Sequence, residues 1–251
     1  MITFALTDIE MWLGAIFWPF VRILAMISAA PVLSHRAIPG RAKIGLALLI
    51  AFAASSMTGQ QPASVFTAHA PLLLIQQMLI GFAMGFAIRL VFAAAELAGD
   101  MIGLQMGLSF ATFVDPTSSG QTPIIGTFIG LCATLLFLAL DGHLALIAGV
   151  TASFQSAPVD PAFFSALDWH RLASLGSLIF VTGLQIALPV LATMLAINLT
   201  MGVMSRAAPQ LNLFSIGFPL TVISGLLVLA LFLPQLLTPL TAALQSNMTA
   251  F

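Results

Sequence analysis

Side chains able to do chemistry are scarce in this 251-residue chain, so each can be weighed in turn. The four histidines are His35, His69, His143 and His170. None sits in an H-E-x-x-H motif or an i, i+4 pair, the spacing that puts two imidazoles on one helix face for zinc. No G-x-S-x-G nucleophile elbow and no P-loop occurs. Cys132 is the lone cysteine and lies in an apolar run, so neither an intrachain disulfide nor a cysteine-based metal site is expected. Asp141-Gly142-His143 offers two metal ligands or a helix-joining turn, and the turn is favoured because Asp-Gly is turn chemistry. The expectation is therefore no enzyme, no cofactor and no metal.

Four charges fall inside apolar stretches, where an ionisable group is costly and defaults to function. Arg22 is one. Arg89, Glu96 and Asp100 form a row, with Glu96 and Asp100 one helical turn apart and Arg89 seven residues before Glu96. A proton or ion relay would want such a row. A structural ion pair in a protein-buried or water-lined interface is the alternative, and one base among two acids favours pairing.

The segment AGDMIGLQMGLSFATFVDPTSSGQTP (Ala98–Pro123) carries more information. Gly99, Gly103 and Gly107 recur every four residues, and Ile102, Met106, Phe110 and Phe113 make the neighbouring stripe large, soft and apolar. Each glycine weakens a helix by about 1 kcal/mol relative to alanine, and methionine fills gaps readily. An apolar constriction gates a pore by excluding water. Two readings stand level on composition: a movable apolar stopper in a wide conduit, and an ordinary helix end packed under a loop. A second focus is Arg206-Ala-Ala-Pro209-Gln210-Leu-Asn212-Leu. It suits a docking surface for a cytoplasmic or membrane partner, or a solvated hairpin turn whose arginine sets topology; composition favours the turn.

These residues must be positioned by membrane helices. Hydrophobic residues make up 60% of the chain and charged residues 6%, against roughly 25% charged in a soluble domain. Disorder needs the opposite composition. A net charge of −1 gives no nucleic-acid surface. The fold class expected is an all-α, polytopic integral membrane protein of helical hairpins with broken helices, since helices satisfy their backbone internally in lipid.

Charge-free runs over 44–88, 116–140, 172–205 and 207–251 place the spans. These are about 11–33, preceded by a Thr7–Glu10 capping box, then 42–57, 71–99, a region over 123–155 broken at Asp141, 171–202 with a kink at Pro189, and 211–233 with a proline-punctuated tail. Asp160-Pro161 opens a short helix ending near Leu167. Gly81-x-x-x-Gly85 and Gly126-x-x-x-Gly130 allow close helix approach. Trp12, Trp18 and Trp169 suit interfacial anchors. Arg36, Arg41 and Lys43 put the first loop on the cytoplasmic side, as Arg206 does for the loop from Met204 to Gln210. The count is then six crossings with both termini outside.

The strings GLQMGLSFATFVDP (Gly103–Pro116) and APQLNLFSIGFPL (Ala208–Leu220), with SAAPVLSHRAIPGRAKIGLAL (Ser28–Leu48) and DGHLALI (Asp141–Ile147), resemble the FliR/SctT family of type III export-gate membrane proteins. The resemblance covers essentially the whole chain, and the wording of the first string is closer to the flagellar branch than to the virulence branch. It implies a core subunit of the flagellar export gate, in the inner membrane at the basal body, that assembles with several copies of FliP and FliQ, with FlhB and with further gate and membrane-ring proteins. Together they form a conduit for unfolded export substrates, much of it above the bilayer plane. It also implies a FliP-like part over 1–165, with a pore plug at 106–122, and a FliQ-like hairpin over 166–251. The plug contacts would be Met106, Gly107, Phe110 and Phe113. The loop carrying Arg206, Pro209, Gln210 and Asn212 would lie at the cytoplasmic entrance. A secondary transporter or ion channel is the rival reading. It wants two related halves, and the halves here differ.

Overall fold

The computed structural model describes residues 6–55, 65–108, 123–160, 169–207 and 217–248. Every regular element among them is a helix: α1 (Leu6–Ala29), α2 (Gly40–Ser55), α3 (Ala70–Gln105), α4 (Ile124–Ala139), α5 (Gly142–Ser156), α6 (Trp169–Ala207) and α7 (Phe218–Met248). Four of them, α1 (from Glu10), α3, α6 (from Gly176) and α7, are long and apolar enough to cross a bilayer. The pair α4–α5, bent by 63°, makes a fifth crossing if counted as one span. The chain is thus an all-α polytopic membrane protein. The sixth crossing expected at 42–57 falls on α2. Its 16 described residues reach about 24 Å, short of the roughly 30 Å hydrocarbon thickness.

The chain divides into two compact units. The first comprises Met1–Arg89, Phe137–Ser174 and Gln245–Phe251. Here α2 packs on α1 through Ala47, Ala51 and Ala54, all buried at helical spacing. Small residues bring the backbones together in the absence of a hydrophobic drive between helices in lipid. The first loop is closed by Lys43, whose Nζ donates to the Ser34 carbonyl at 2.8 Å. The expected glycine pair on α3 meets α1. A Cβ on Gly81 would overlap the Arg22 carbonyl oxygen, and one on Gly85 would lie 2.6 Å from the Met26 carbonyl oxygen.

The second unit comprises Leu90–Leu136 and Leu175–Leu244. Its centre is the second half of α3, where Ala94, Ala95, Ala98, Ile102 and Met106 are fully buried. Each neighbouring helix turns a glycine toward it. A Cβ on Gly126 (α4) would overlap the Asp100 carboxylate, one on Gly183 (α6) would lie 3.0 Å from the Ala94 carbonyl oxygen, and one on Gly225 (α7) 2.5 Å from Met106 Cγ. Both units draw segments from before and after residue 165.

Several sequence expectations change. α3 does not end near Gly99 but runs to Gln105, because Gly99 meets the α4 backbone at close quarters and the packing offsets its poor propensity. α7 continues through Pro234 and Pro239 to Met248; interior prolines are tolerated in membrane helices. α6 likewise continues through Pro189 and reaches Ala207, so Met204–Ala207 are helical rather than loop. α1 already contains Thr7, so the proposed capping box lies within the helix. Trp18 is fully buried, edge-on to Phe17 at 5.1 Å, and serves the core rather than an interface; Trp12 is exposed. Asp141 and Gly142 do form a turn: Asp141 adopts φ 52° and its carbonyl accepts from the Leu144 and Ala145 amides. The short helix expected after Asp160 lies outside the described residues.

Candidate functional site

The glycine-rich segment leaves α3 through a built helix end. Gly107 has φ 77°. Its amide donates to the Leu104 carbonyl at 3.0 Å, and the Leu108 amide donates to the Gly103 carbonyl at 3.1 Å. That pair of bonds is a Schellman cap, in which a left-handed residue satisfies the last helical carbonyls. Glycine suits the position because it adopts positive φ without a Cβ penalty.

Two other helices hold this end. From α6, Asn198 Nδ2 donates to the Gln105 carbonyl at 3.3 Å. From α7, Gly225 leaves the space that the Met106 side chain fills, with Cγ, Cε and Sδ all within 3.1 Å of where a Cβ would stand. Met106, one of the four residues expected in a seal, is fully enclosed by its own unit. Gly107 is half-buried. Phe110 and Phe113 lie outside the described residues. Sequence reading missed Asn198 and Gly225. A signal existed for the first, since an asparagine within an apolar span seeks a partner.

Arg22 occupies a second built site, in the first unit. Its guanidinium is fully buried. Nε donates to Gln77 Oε1 at 2.7 Å, Nη1 to Ser153 Oγ at 2.9 Å and Nη2 to the Ala157 carbonyl at 2.7 Å. The guanidinium carbon stands 3.8 Å from the Phe154 ring centroid. No carboxylate is among these partners. Ala157 caps the C-terminus of α5, where the helix dipole is negative and stabilises a cation; the ring face adds to this. Gln76 Nε2 donates to the Pro158 carbonyl at 3.2 Å, so α1 and α3 together hold the exit of α5. The site is a clamp that ties α1, α3 and α5 together.

The other row of charges is arranged differently. Arg89 and Glu96 are exposed and Asp100 half-buried. Among the described residues these three make no ion pair with one another, and Asp100 Oδ1 is buried without a hydrogen-bond partner. Arg206 is exposed in the last turn of α6, a favourable place for a cation. Pro209, Gln210 and Asn212 lie outside the described residues. No group of three metal-ligating side chains occurs among those described.

Comparison with known proteins places the sequence in one family. Residues 13–246 match the family described as bacterial export proteins, family 1. The flagellar biosynthetic protein FliR of Pectobacterium carotovorum is 44% identical over 93% of this chain and 90% of its own length. That of Escherichia coli K12 is 45% identical over 89% and 85%, and that of Bacillus subtilis 33% identical over 84% and 82%. A match over nearly the whole length, to relatives of one kind, on an all-helical membrane framework means that the chain belongs to the FliR family of bacterial export proteins.

Proposed function

We propose that the chain is a non-enzymatic core subunit of the flagellar type III export gate, seated in the bacterial inner membrane at the basal body. It helps to wall and to seal the conduit for unfolded flagellar proteins. Its neighbours are FliP and FliQ in multiple copies, FlhB, and further gate and membrane-ring proteins. The observation that carries the reading is the fixed root of the glycine-rich segment. A stopper that must close against a membrane potential needs a rigid point of departure, and the Schellman cap at Gly107, Asn198 and the Met106–Gly225 contact supply one. Just beyond that root Leu108, Phe110, Phe113 and Val114 supply large apolar side chains before the polar run from Asp115 to Thr122, and such apolar contacts suit a seal that excludes water and can still be displaced. Energy for export must come from other components, since no nucleotide-binding motif is present.

The test is a charged substitution at the root, Gly107→Asp, in the assembled gate. Expected is faster dye-reported depolarisation of cells and slower growth on expression, at membrane levels of the protein equal to the parent. An unchanged ion barrier at equal levels overturns the sealing role, and retained export in cells lacking the protein overturns the gate assignment.

A further inference from the structure

The α3–α4 face of the second unit carries two carboxylates that form no ion pair among the described residues. Glu96 and Asp100 are one turn apart on α3, and both lie across the glycines of α4. A Cβ on Gly130 would stand 3.3 Å from Glu96 Cγ and 3.5 Å from its Oε1, and one on Gly126 would overlap Asp100 Oδ1. The glycine seam thus brings the acids over the neighbouring helix. Asp100 Oδ1 is covered there without a hydrogen-bond donor. The same two helices also carry exposed apolar side chains: Leu104 is 62% exposed, Leu131 60% and Leu135 68%.

Both helices belong to segments apolar enough for the membrane, and a carboxylate facing hydrocarbon is heavily penalised. Lipid therefore does not suit this face. A water-lined wall would solvate Glu96 but would not suit the exposed leucines. A cation from a neighbouring protein serves both carboxylates through the uncovered part of the pair, while apolar side chains cover Leu104, Leu131 and Leu135. A second copy of this chain fits poorly. Copies inserted with the same sidedness meet α3 parallel to α3, which sets carboxylate opposite carboxylate.

We propose that this face docks an apolar helix of a neighbouring gate subunit that brings a lysine or arginine against Glu96 and Asp100. The proposal rests on the gate reading above. The test uses the full chain, alone and co-expressed with FliP and FliQ, in mild detergent. The neutral pair E96Q/D100N is the main variant, because it keeps shape and removes only charge. Expected is a several-fold fall in co-purified FliP and FliQ, with the level and melting temperature of the isolated chain unchanged or raised. E96K/D100K should lower co-purification further. Carbodiimide with glycine ethyl ester should label Glu96 in the isolated chain and at least several-fold less in the complex. Equal labelling of Glu96 in both states, with parental co-purification by E96Q/D100N, overturns the docking face and leaves the gate reading intact. Protection of Glu96 only in a homo-oligomer of this chain overturns it in favour of a second copy. A parent chain that recruits neither FliP nor FliQ overturns the gate reading and this proposal together.

Discussion

Gly99 of α3 and Gly126 of α4 cross with their backbones in contact: a methyl built on Gly99 would lie 2.5 Å from Gly126 Cα and 2.7 Å from the Ile125 carbonyl oxygen. The atoms in the way are main chain, so no side-chain rotation relieves the clash.

Gly99→Val should therefore separate the two helices and cost about 1–3 kcal/mol, the usual range for overpacking. Gly202 on α6 is the control, since a Cβ there meets nothing within 4 Å. Gly202→Ala should stabilise by about 0.5–1 kcal/mol through propensity and the unfolded chain. Thermal unfolding in detergent, followed by the fluorescence of buried Trp18, reads both; a Gly99→Val protein as stable as the parent would refute the crossing.

Arg22→Met removes the only donor shown for Gln77 Oε1 and a donor to the Ala157 carbonyl. Leaving such acceptors buried and unsatisfied costs about 1–3 kcal/mol apiece, so a strongly destabilised first unit is expected. Arg22→Lys keeps the charge but not the three-pronged geometry, and should fall between parent and Met. Melting temperatures of the three proteins give the order; equal values for Arg22→Lys and Arg22→Met would mean that charge, not geometry, is what the site uses.

Gly107→Ala places a Cβ at φ 77° and should cost about 1–2 kcal/mol, the penalty for left-handed backbone. Gly107→Asn should cost less, because asparagine tolerates that region. Hydrogen exchange at the Gly107 and Leu108 amides checks the cap itself: both should exchange faster in the alanine variant.

Met106 and Gly225 should be energetically coupled. Met106→Ala opens a cavity at about 2–5 kcal/mol, and Gly225→Val alone overpacks the same space. The double variant should recover at least about 1 kcal/mol of the summed loss, as contacting residues do in double-mutant cycles. Strict additivity would show that the two do not share the site.

Much of the framework was legible because lipid imposes it. Long runs free of charge had to hold helices, and the break at Asp141 follows from turn chemistry, whereas α1 ends at Ala29, four residues before the expected Leu33. Gly81 and Gly85 were legible as a contact surface, because small residues four apart have one obvious use in a membrane. The misjudged ends share a cause. Gly99, Pro234 and Pro239 are poor helix residues, yet α3 and α7 run through them, since tertiary packing outweighs local preference.

The sites were legible in kind but not in partners. Arg22 stood out as a buried charge. Nothing in its neighbourhood names Gln77 or Ser153, which lie 55 and 131 residues away. A terminal helix dipole is also invisible to a search for acidic residues. Glu96 and Asp100 read as half of an internal pair with Arg89; among the described residues no such pair forms, and both acids lie against the glycines of α4 instead.

The clamp on Arg22 has an electrical consequence. A guanidinium held by a helix end and an aromatic ring, with no acid among these partners, is a unit charge without a formal counter-charge, lodged within a span. A voltage does work on such a charge, about 2.3 kcal/mol for each 100 mV if the whole drop were traversed. Three bonds and a ring fix the group, so the pull is handed to α1, α3 and α5 as a body.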